Sequence, residues 1–229
     1  MQPLWLLDSI GSRLIRDEQQ AFSDLSISSF GNYFLQLGIW GHSNTFTDNT
    51  PIKNRFLITA HSFGEVALVA DLDRLPLQDQ TIDVVFLPHT LEQCDNHLEI
   101  LSSCVNTINE SGSLIALGFN PASLWGARHL FSGNFFLPGI QRLISPNQYT
   151  HWLVHLGFRV EKVHYFHAII PLRKRHELPL TYKILNPFLC ACYMIVARKE
   201  MIPLTLENQF IKDKKQTGSL ADSMGRTTV

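Results

Sequence analysis

Short apolar runs recur along this chain and alternate with amphipathic or turn-forming stretches, and no other feature restricts its fold as strongly. The runs span 33–38, 55–60, 65–70, 82–87, 114–119, 158–169 and 190–198. Most are continuous rather than alternating. Ile82 to Leu87 is broken only by Asp83. Continuity of this kind marks strands buried on both faces, because neither face can then tolerate a polar side chain.

Helical segments fall between the runs. Residues 9–26 place Leu14, Ala21 and Leu25 at helical spacing, with Arg13, Arg16, Asp17, Glu18 and Gln19 between them. Residues 95–109 form a second helix, with Asp95 as the cap and a stripe of Leu98, Leu101, Val105 and Ile108. Ser111-Gly112 is expected to stop it. Ser145-Pro146 pairs an N-cap residue with proline at the first helical position, opening a helix that carries Trp152, Leu153 and Leu156 and ends at Gly157. Residues 41–54 are polar, contain Pro51 and lack a helical period, so they are expected to be a loop. Strand–helix alternation of this kind predicts an α/β protein with a largely parallel sheet covered on both faces.

The composition agrees. Hydrophobic residues make up 45% of the 229 and charged residues 17%, enough to bury a substantial core. The net charge of −1 excludes the basic field of a general nucleic-acid binder. The cluster Arg173-Lys174-Arg175-His176 suits a solvated loop or a contact to an anionic substrate. The four cysteines form no CxxC pair, and Cys190-Ala-Cys192 lies within an apolar run, so buried reduced thiols are expected rather than a metal site or disulfides. Residues 1–7 lack the features of a signal peptide, and no apolar run approaches the roughly 18 residues needed to span a bilayer. These observations set the cytoplasm as the expected compartment and residues 207–229, polar and lysine-rich, as a disordered tail. His164 and His167 should lie on opposite faces of their strand, which argues against a shared metal.

Four segments carry a resemblance to a known family: Leu35-Gln36-Leu37-Gly38-Ile39-Trp40-Gly41; Asp71-Leu72-Asp73-Arg74-Leu75-Pro76-Leu77 with Thr81-Ile82-Asp83-Val84-Val85; Leu87-Pro88-His89-Thr90-Leu91-Glu92; and Ser111-Gly112-Ser113-Leu114-Ile115 with Gly118-Phe119-Asn120-Pro121. In this order they resemble the type-11 class I S-adenosylmethionine (SAM)-dependent methyltransferases, most closely a proteobacterial branch. The resemblance covers roughly residues 9–206. It implies a Rossmann-like, mostly parallel seven-stranded sheet, SAM as cofactor, and methyl transfer to a small molecule.

The resemblance also implies site residues. The cofactor would contact Gln36, Gly38 and Trp40 in the loop after the first strand, Asp71 and Leu72 at the adenine, and His89 after the fourth strand. His89 is the candidate general base, with Glu92 second. The loop departs from the family pattern, which wants an acid and then glycines at alternate positions. Here those positions hold Gln36, Gly38, Trp40 and His42, so only Gly38 conforms. Trp40 stands where the methionine moiety usually lies. The acid that normally ends the second strand has no counterpart, and His61 or Ser62 is nearest its place. The first crossover helix is expected to be replaced by a loop. Asp83 is expected to anchor a neighbouring element, and Asn120-Pro121 to turn the chain into Ser123-Leu124-Trp125.

The aromatic residues of 122–143 suit a cap over the substrate pocket or a protein-binding surface. Two readings of the function therefore stand beside each other. One is a methyltransferase with a weakened cofactor motif. The other is a catalytically inactive descendant acting as a binding or regulatory module. Absence of G-x-G-x-x-G near the first strand argues against NAD or FAD.

Overall fold

The computed structural model describes residue 6 and residues 9–26, 31–42, 44–61, 68–131, 136–168 and 188–200. Seven strands form one sheet: β1 (Tyr33–Leu37), β2 (Asn54–Thr59), β3 (Leu68–Val69), β4 (Ile82–Pro88), β5 (Ile108–Phe119), β6 (Phe158–Ala168) and β7 (Cys190–Lys199). Their spatial order is β3-β2-β1-β4-β5-β7-β6. The pairs from β3 to β5 are parallel, whereas β7 runs antiparallel to both β5 and β6. The sheet is therefore mixed, with a single reversed strand.

The continuous apolar runs are explained by two cores, one on each face. Along β1 and β4, alternate residues divide: Phe34, Val84 and Phe86 join one cluster, and Leu35, Leu37, Val85 and Leu87 the other. On the first face lies α1 (Ser9–Ser26), whose Leu14, Ala21 and Phe22 are buried against Phe34, Phe46 and Phe86. The Phe22 and Phe86 rings sit 4.6 Å apart, and Phe46 and Phe86 5.0 Å apart. Phe46 and Ile52 fill the space where a crossover helix would pack. Their segment holds only a single 3-10 turn (Thr47–Asn49) among its described residues.

On the opposite face lie α2 (His97–Thr107) and α4 (Pro146–His155). Ser145 caps α4 as its sequence predicts, accepting a hydrogen bond from the Gln148 N–H, and Gly157 follows the helix at φ +85°. The start of α2 differs from expectation. It begins at His97, Asn96 occupies the N-cap position, and Asp95 contributes its backbone oxygen to the His97 N–H. The expected stripe is also rotated: Ile100, Leu101 and Cys104 are buried, whereas Leu98 is 52% exposed. Ile108, the last member of that stripe, already opens β5, so the inward face is set by the residues before it. Ser111-Gly112 lies within β5 rather than stopping the helix, beside a register shift between Ile82 and Val84.

Asp83 is the anchor that the sequence suggests. Its carboxylate accepts from the Asn32 and Tyr33 backbone N–H groups at 2.7 and 2.9 Å and from the Asn109 amide, tying the entry of β1 to β5. Asn120 turns the chain into α3 (Leu124–Phe131): its side-chain oxygen accepts from the Ala122 N–H, and Ser123 caps the Gly126 N–H. His167 does not obey the strict alternation expected of β6. At φ +57° it turns toward α1, where its ring meets Asp17 at 2.7 Å. The Arg173–His176 cluster and the 207–229 tail lie outside the described residues. Among the described residues, no helix is long and apolar enough to cross a membrane.

Candidate cofactor site and its buried ionic cluster

The parallel strands β1, β2, β3 and β4 end on one edge of the sheet, the edge at which open α/β sheets bind ligands. At that edge β4 runs out at Pro88. His89 then adopts φ +55°, a conformation unusual for a residue with a side chain, and the chain bends into a 3-10 turn (Leu91–Gln93). The bend drives the imidazole inward, where it is fully buried between Trp40 and Phe119, with ring centroids 4.4 and 4.2 Å away.

Both imidazole nitrogens are engaged. Nδ1 meets the Glu92 carboxylate at 2.7 Å, brought back by the turn, and Nε2 meets Glu18 of α1 at 3.0 Å. The other Glu18 oxygen accepts from the Trp40 indole N–H at 2.8 Å. Glu92 in turn accepts from the Phe119 backbone N–H at 2.9 Å. One buried chain of polar contacts thus joins α1, the loop after β1, the end of β4 and the end of β5.

Charge accounts for its protonation. Burial alone would lower the His89 pKa, but hydrogen bonds and charge from Glu18 and Glu92 outweigh it and hold the imidazole at about 9. The ring is therefore a cation at neutral pH, with its protons directed at two carboxylates. Burial raises Glu92 despite the opposing contacts from His89 and the Phe119 N–H. On β7, burial raises the Cys192 thiol well above its usual value, with the nearby Glu18 and Glu92 charges adding to the effect.

The remaining residues named from the sequence divide between buried and exposed positions. Gln36 is fully buried at the end of β1, donating to the Gly38 carbonyl at 3.0 Å, while its Oε1 has no hydrogen-bond partner among the described residues. Gly38, at φ +83°, donates to the Ile58 carbonyl and so closes β1 against β2. Leu72 is buried in the second core. Asp71 is exposed just beyond β3, its carbonyl accepting from the Arg74 N–H in a tight turn. Gly38, Trp40 and His89 are thus gathered at one end of the sheet, with Asp71 at the end of β3 on the same edge.

Comparisons with known proteins fit this geometry. A family model described as a methyltransferase domain matches residues 49–116. The Escherichia coli K12 protein YafS, uncharacterised, is 32% identical over 163 residues, covering 71% of this chain; the chain spans 66% of the length of that relative. A SAM-dependent methyltransferase from Archaeoglobus fulgidus superposes with a TM-score of 0.60 at 19% identity, covering 83% of this chain and 98% of its own. Another from Thermotoga maritima gives 0.59 at 15% identity, covering 86% and 93%. The chain has the Rossmann-like fold of the class I methyltransferases.

Whether this methyltransferase fold, as it stands, accepts SAM can be tested on its own side chains. At the adenine end, Asp71 is exposed at the strand-end edge, next to Leu72, while the acid that normally ends the second strand has no counterpart. A Cβ placed on Gly38 would lie 3.0 Å from the Thr90 Oγ1, so the room the glycine leaves is already taken by Thr90, which donates to the Leu37 carbonyl. Trp40 is 0% exposed and held by Glu18. Among the described residues, Thr90 and Trp40 thus fill the space beside Gly38.

Glu18 and Cys192 escaped the sequence reading as site residues. A signal for Glu18 did exist: it lies four residues from both Leu14 and Phe22, on the buried stripe of α1, where an acid is out of place. Cys192 carries no such mark, because cysteine is at home in an apolar strand.

Proposed function

We propose that this protein is a SAM-dependent methyltransferase acting on a small molecule, with a weakened cofactor site. The observation that carries the reading is the acid turn at Asp71-Leu72, inside the segment matched by the methyltransferase model and placed at the strand-end edge of the methyltransferase fold. In the resemblance Asp71 accepts from the adenine amino group and Leu72 offers its backbone. Gln36, Gly38 and Trp40 line the cofactor loop, and His89 stands near the reacting centre. Few obligate side chains are needed, since the sulfonium of SAM already activates the methyl group and the protein supplies orientation. The methionine end can be seated only if Trp40 leaves its packed position. A cytoplasmic setting, where thiols stay reduced, suits the buried Cys104, Cys190 and Cys192.

A second reading, a fold retained as a binding or regulatory module, is favoured by the burial of Trp40 itself, since a fully packed indole is a stable occupant of the cofactor position. Calorimetric titration with SAM and S-adenosylhomocysteine separates the two. The first reading expects saturable binding that Asp71→Ala abolishes. Absence of heat at millimolar ligand for the wild type would establish the second, and unchanged affinity in Asp71→Ala would remove the assigned adenine contact.

A further inference from the structure

Three donors of different chemistry meet beneath Trp40. The Glu18 carboxylate comes from α1, the His89 imidazole from the end of β4, and the Cys192 thiol from β7, and their ligand atoms all lie within 4.8 Å of one another. All three side chains are buried, inside a cluster otherwise built from apolar residues. We propose that Glu18, His89 and Cys192 form a binding site for a divalent transition-metal ion of the zinc class, adjoining the proposed SAM site and sharing His89 with it.

The chemistry of the donors sets the class of ion. One nitrogen, one oxygen and one sulfur suit a borderline-soft ion such as Zn2+ or Co2+, and neither Mg2+ nor Ca2+ would take a thiolate in preference to oxygen. In a tetrahedral site with bonds of the usual length, ligand atoms stand about 3.3–3.8 Å apart. The 3.0 Å between His89 Nε2 and Glu18 Oε1 and the 4.8 Å outer limit bracket that range. Small side-chain rotations therefore suffice.

The surroundings are those of a metal site as well. A ligating histidine ordinarily gives its other ring nitrogen to a carboxylate, which fixes the ring and its tautomer. Here Nδ1 is held by Glu92 at 2.7 Å, leaving Nε2, which faces Glu18, as the nitrogen for the ion. Glu18 is held in the same way, with Oε2 on the Trp40 indole and Oε1 left for the ion. The ion would take the place of the proton between Nε2 and Oε1 and of the thiol proton, so binding releases two protons and forms three bonds to the metal. Three protein ligands leave a fourth position, the arrangement of zinc sites that hold water or a further small ligand. The ion's two charges replace the two protons released, so the net charge of the buried cluster is unchanged on binding.

The test uses the full chain, reduced and stripped of metal, titrated with Co2+ in its native state and also refolded in the presence of Co2+, because a fully buried site can be closed to ions once folded. One equivalent of Co2+ should produce visible d–d bands of tetrahedral intensity together with near-ultraviolet thiolate-to-cobalt charge transfer, and Zn2+ should displace both. Cys192→Ser should lose the charge-transfer band while keeping its far-ultraviolet circular dichroism. Cys190→Ser, altered at the neighbouring thiol, should keep the band. Glu92→Gln should weaken Co2+ binding by about tenfold to a hundredfold. Absence of the band in both the native and the refolded protein would overturn the proposal. So would a band that persists in Cys192→Ser or disappears in Cys190→Ser, either of which would leave the cluster as an ion-pair network alone.

Discussion

Replacing Trp40 by alanine tests both the packing of the closed site and the reason it is closed. The indole is fully buried, donates to Glu18 at 2.8 Å, and lies 4.4 Å from the His89 ring and 5.8 Å from Phe119. Truncating a buried Trp removes transfer energy and leaves a cavity, together about 3–5 kcal/mol. Loss of a hydrogen bond to a charged acceptor contributes about 1.5–3 kcal/mol, though the two overlap because they concern one side chain. A total of about 4–6 kcal/mol is therefore expected for Trp40→Ala. Trp40→Phe, which keeps one aromatic ring but removes the donor and part of the ring volume, should lose about 1.5–3 kcal/mol, less than the alanine variant. Urea unfolding followed by far-ultraviolet circular dichroism measures both. With a slope of about 3 kcal/mol per molar, the alanine variant should shift its midpoint down by about 1–2 M, and the phenylalanine variant by less than about 1 M. On the proposed reading, in which the indole stands where the methionine moiety would lie, the same alanine variant should bind SAM more tightly than the wild type. A stability loss below about 1 kcal/mol would refute the account of Trp40 as a packed, hydrogen-bonded core residue. A large loss without any gain in SAM affinity would refute the claim that its ring is what excludes the cofactor.

Other perturbations check other parts of the structure. Asp83→Ala strips the acceptor from two backbone N–H groups at the entry to β1 and from Asn109; it should lower stability by about 2–3 kcal/mol, read as a lower Tm, and a change within error would mean the entry is held otherwise. Gly118→Ala puts a Cβ 2.4 Å from the Tyr193 hydroxyl, and overpacking of this kind should cost about 1–3 kcal/mol in urea unfolding. His97 stacks on Trp152 at 5.4 Å and is lowered by burial and then by the Arg142 charge. Between its lowered folded value and the ordinary imidazole value of 6.5, the unfolded chain binds more protons, so stability rises with pH there and falls on acidification through that window. Comparing urea midpoints at pH 7.5 and 5.5, His97→Phe should show a smaller acid loss than the wild type; an equal loss would assign the effect to other groups.

Much of the fold could be read from residue order. The runs at 33–38, 82–87 and 190–198 appear as strands because a strand buried on both faces has no choice but to be apolar throughout. The Ser145-Pro146 start and the Gly157 stop of α4 were legible for the same kind of local reason: a cap is a contact between a side chain and backbone three residues away. Asp95 failed as a cap because two residues, Asp95 and Asn96, could each begin α2, and tertiary packing chose between them. The inward face of α2 failed because Ile108 satisfies a helical period and a strand equally well. The loop at Gly38 was legible as a departure from the family pattern that the sequence resembles, since Trp40 stands where that pattern has a glycine. That its indole would be locked by a carboxylate was not.

What the sequence by itself determined is periodicity and local chemistry: two-sided burial of the central strands, the helix between 9 and 26, the acid turn at 71–72 and the missing glycines. Those properties are written within a few residues of each other. What only the tertiary structure decided is which distant groups meet. Glu18 reaches His89 across 71 positions of sequence, and Cys192 joins them from the reversed strand at the same sheet edge. Each of the three taken alone has an ordinary role, a helix acid, a turn histidine and a strand thiol. Only folding removes the water between them, and in the low dielectric that remains, their charges and lone pairs become a single chemical unit.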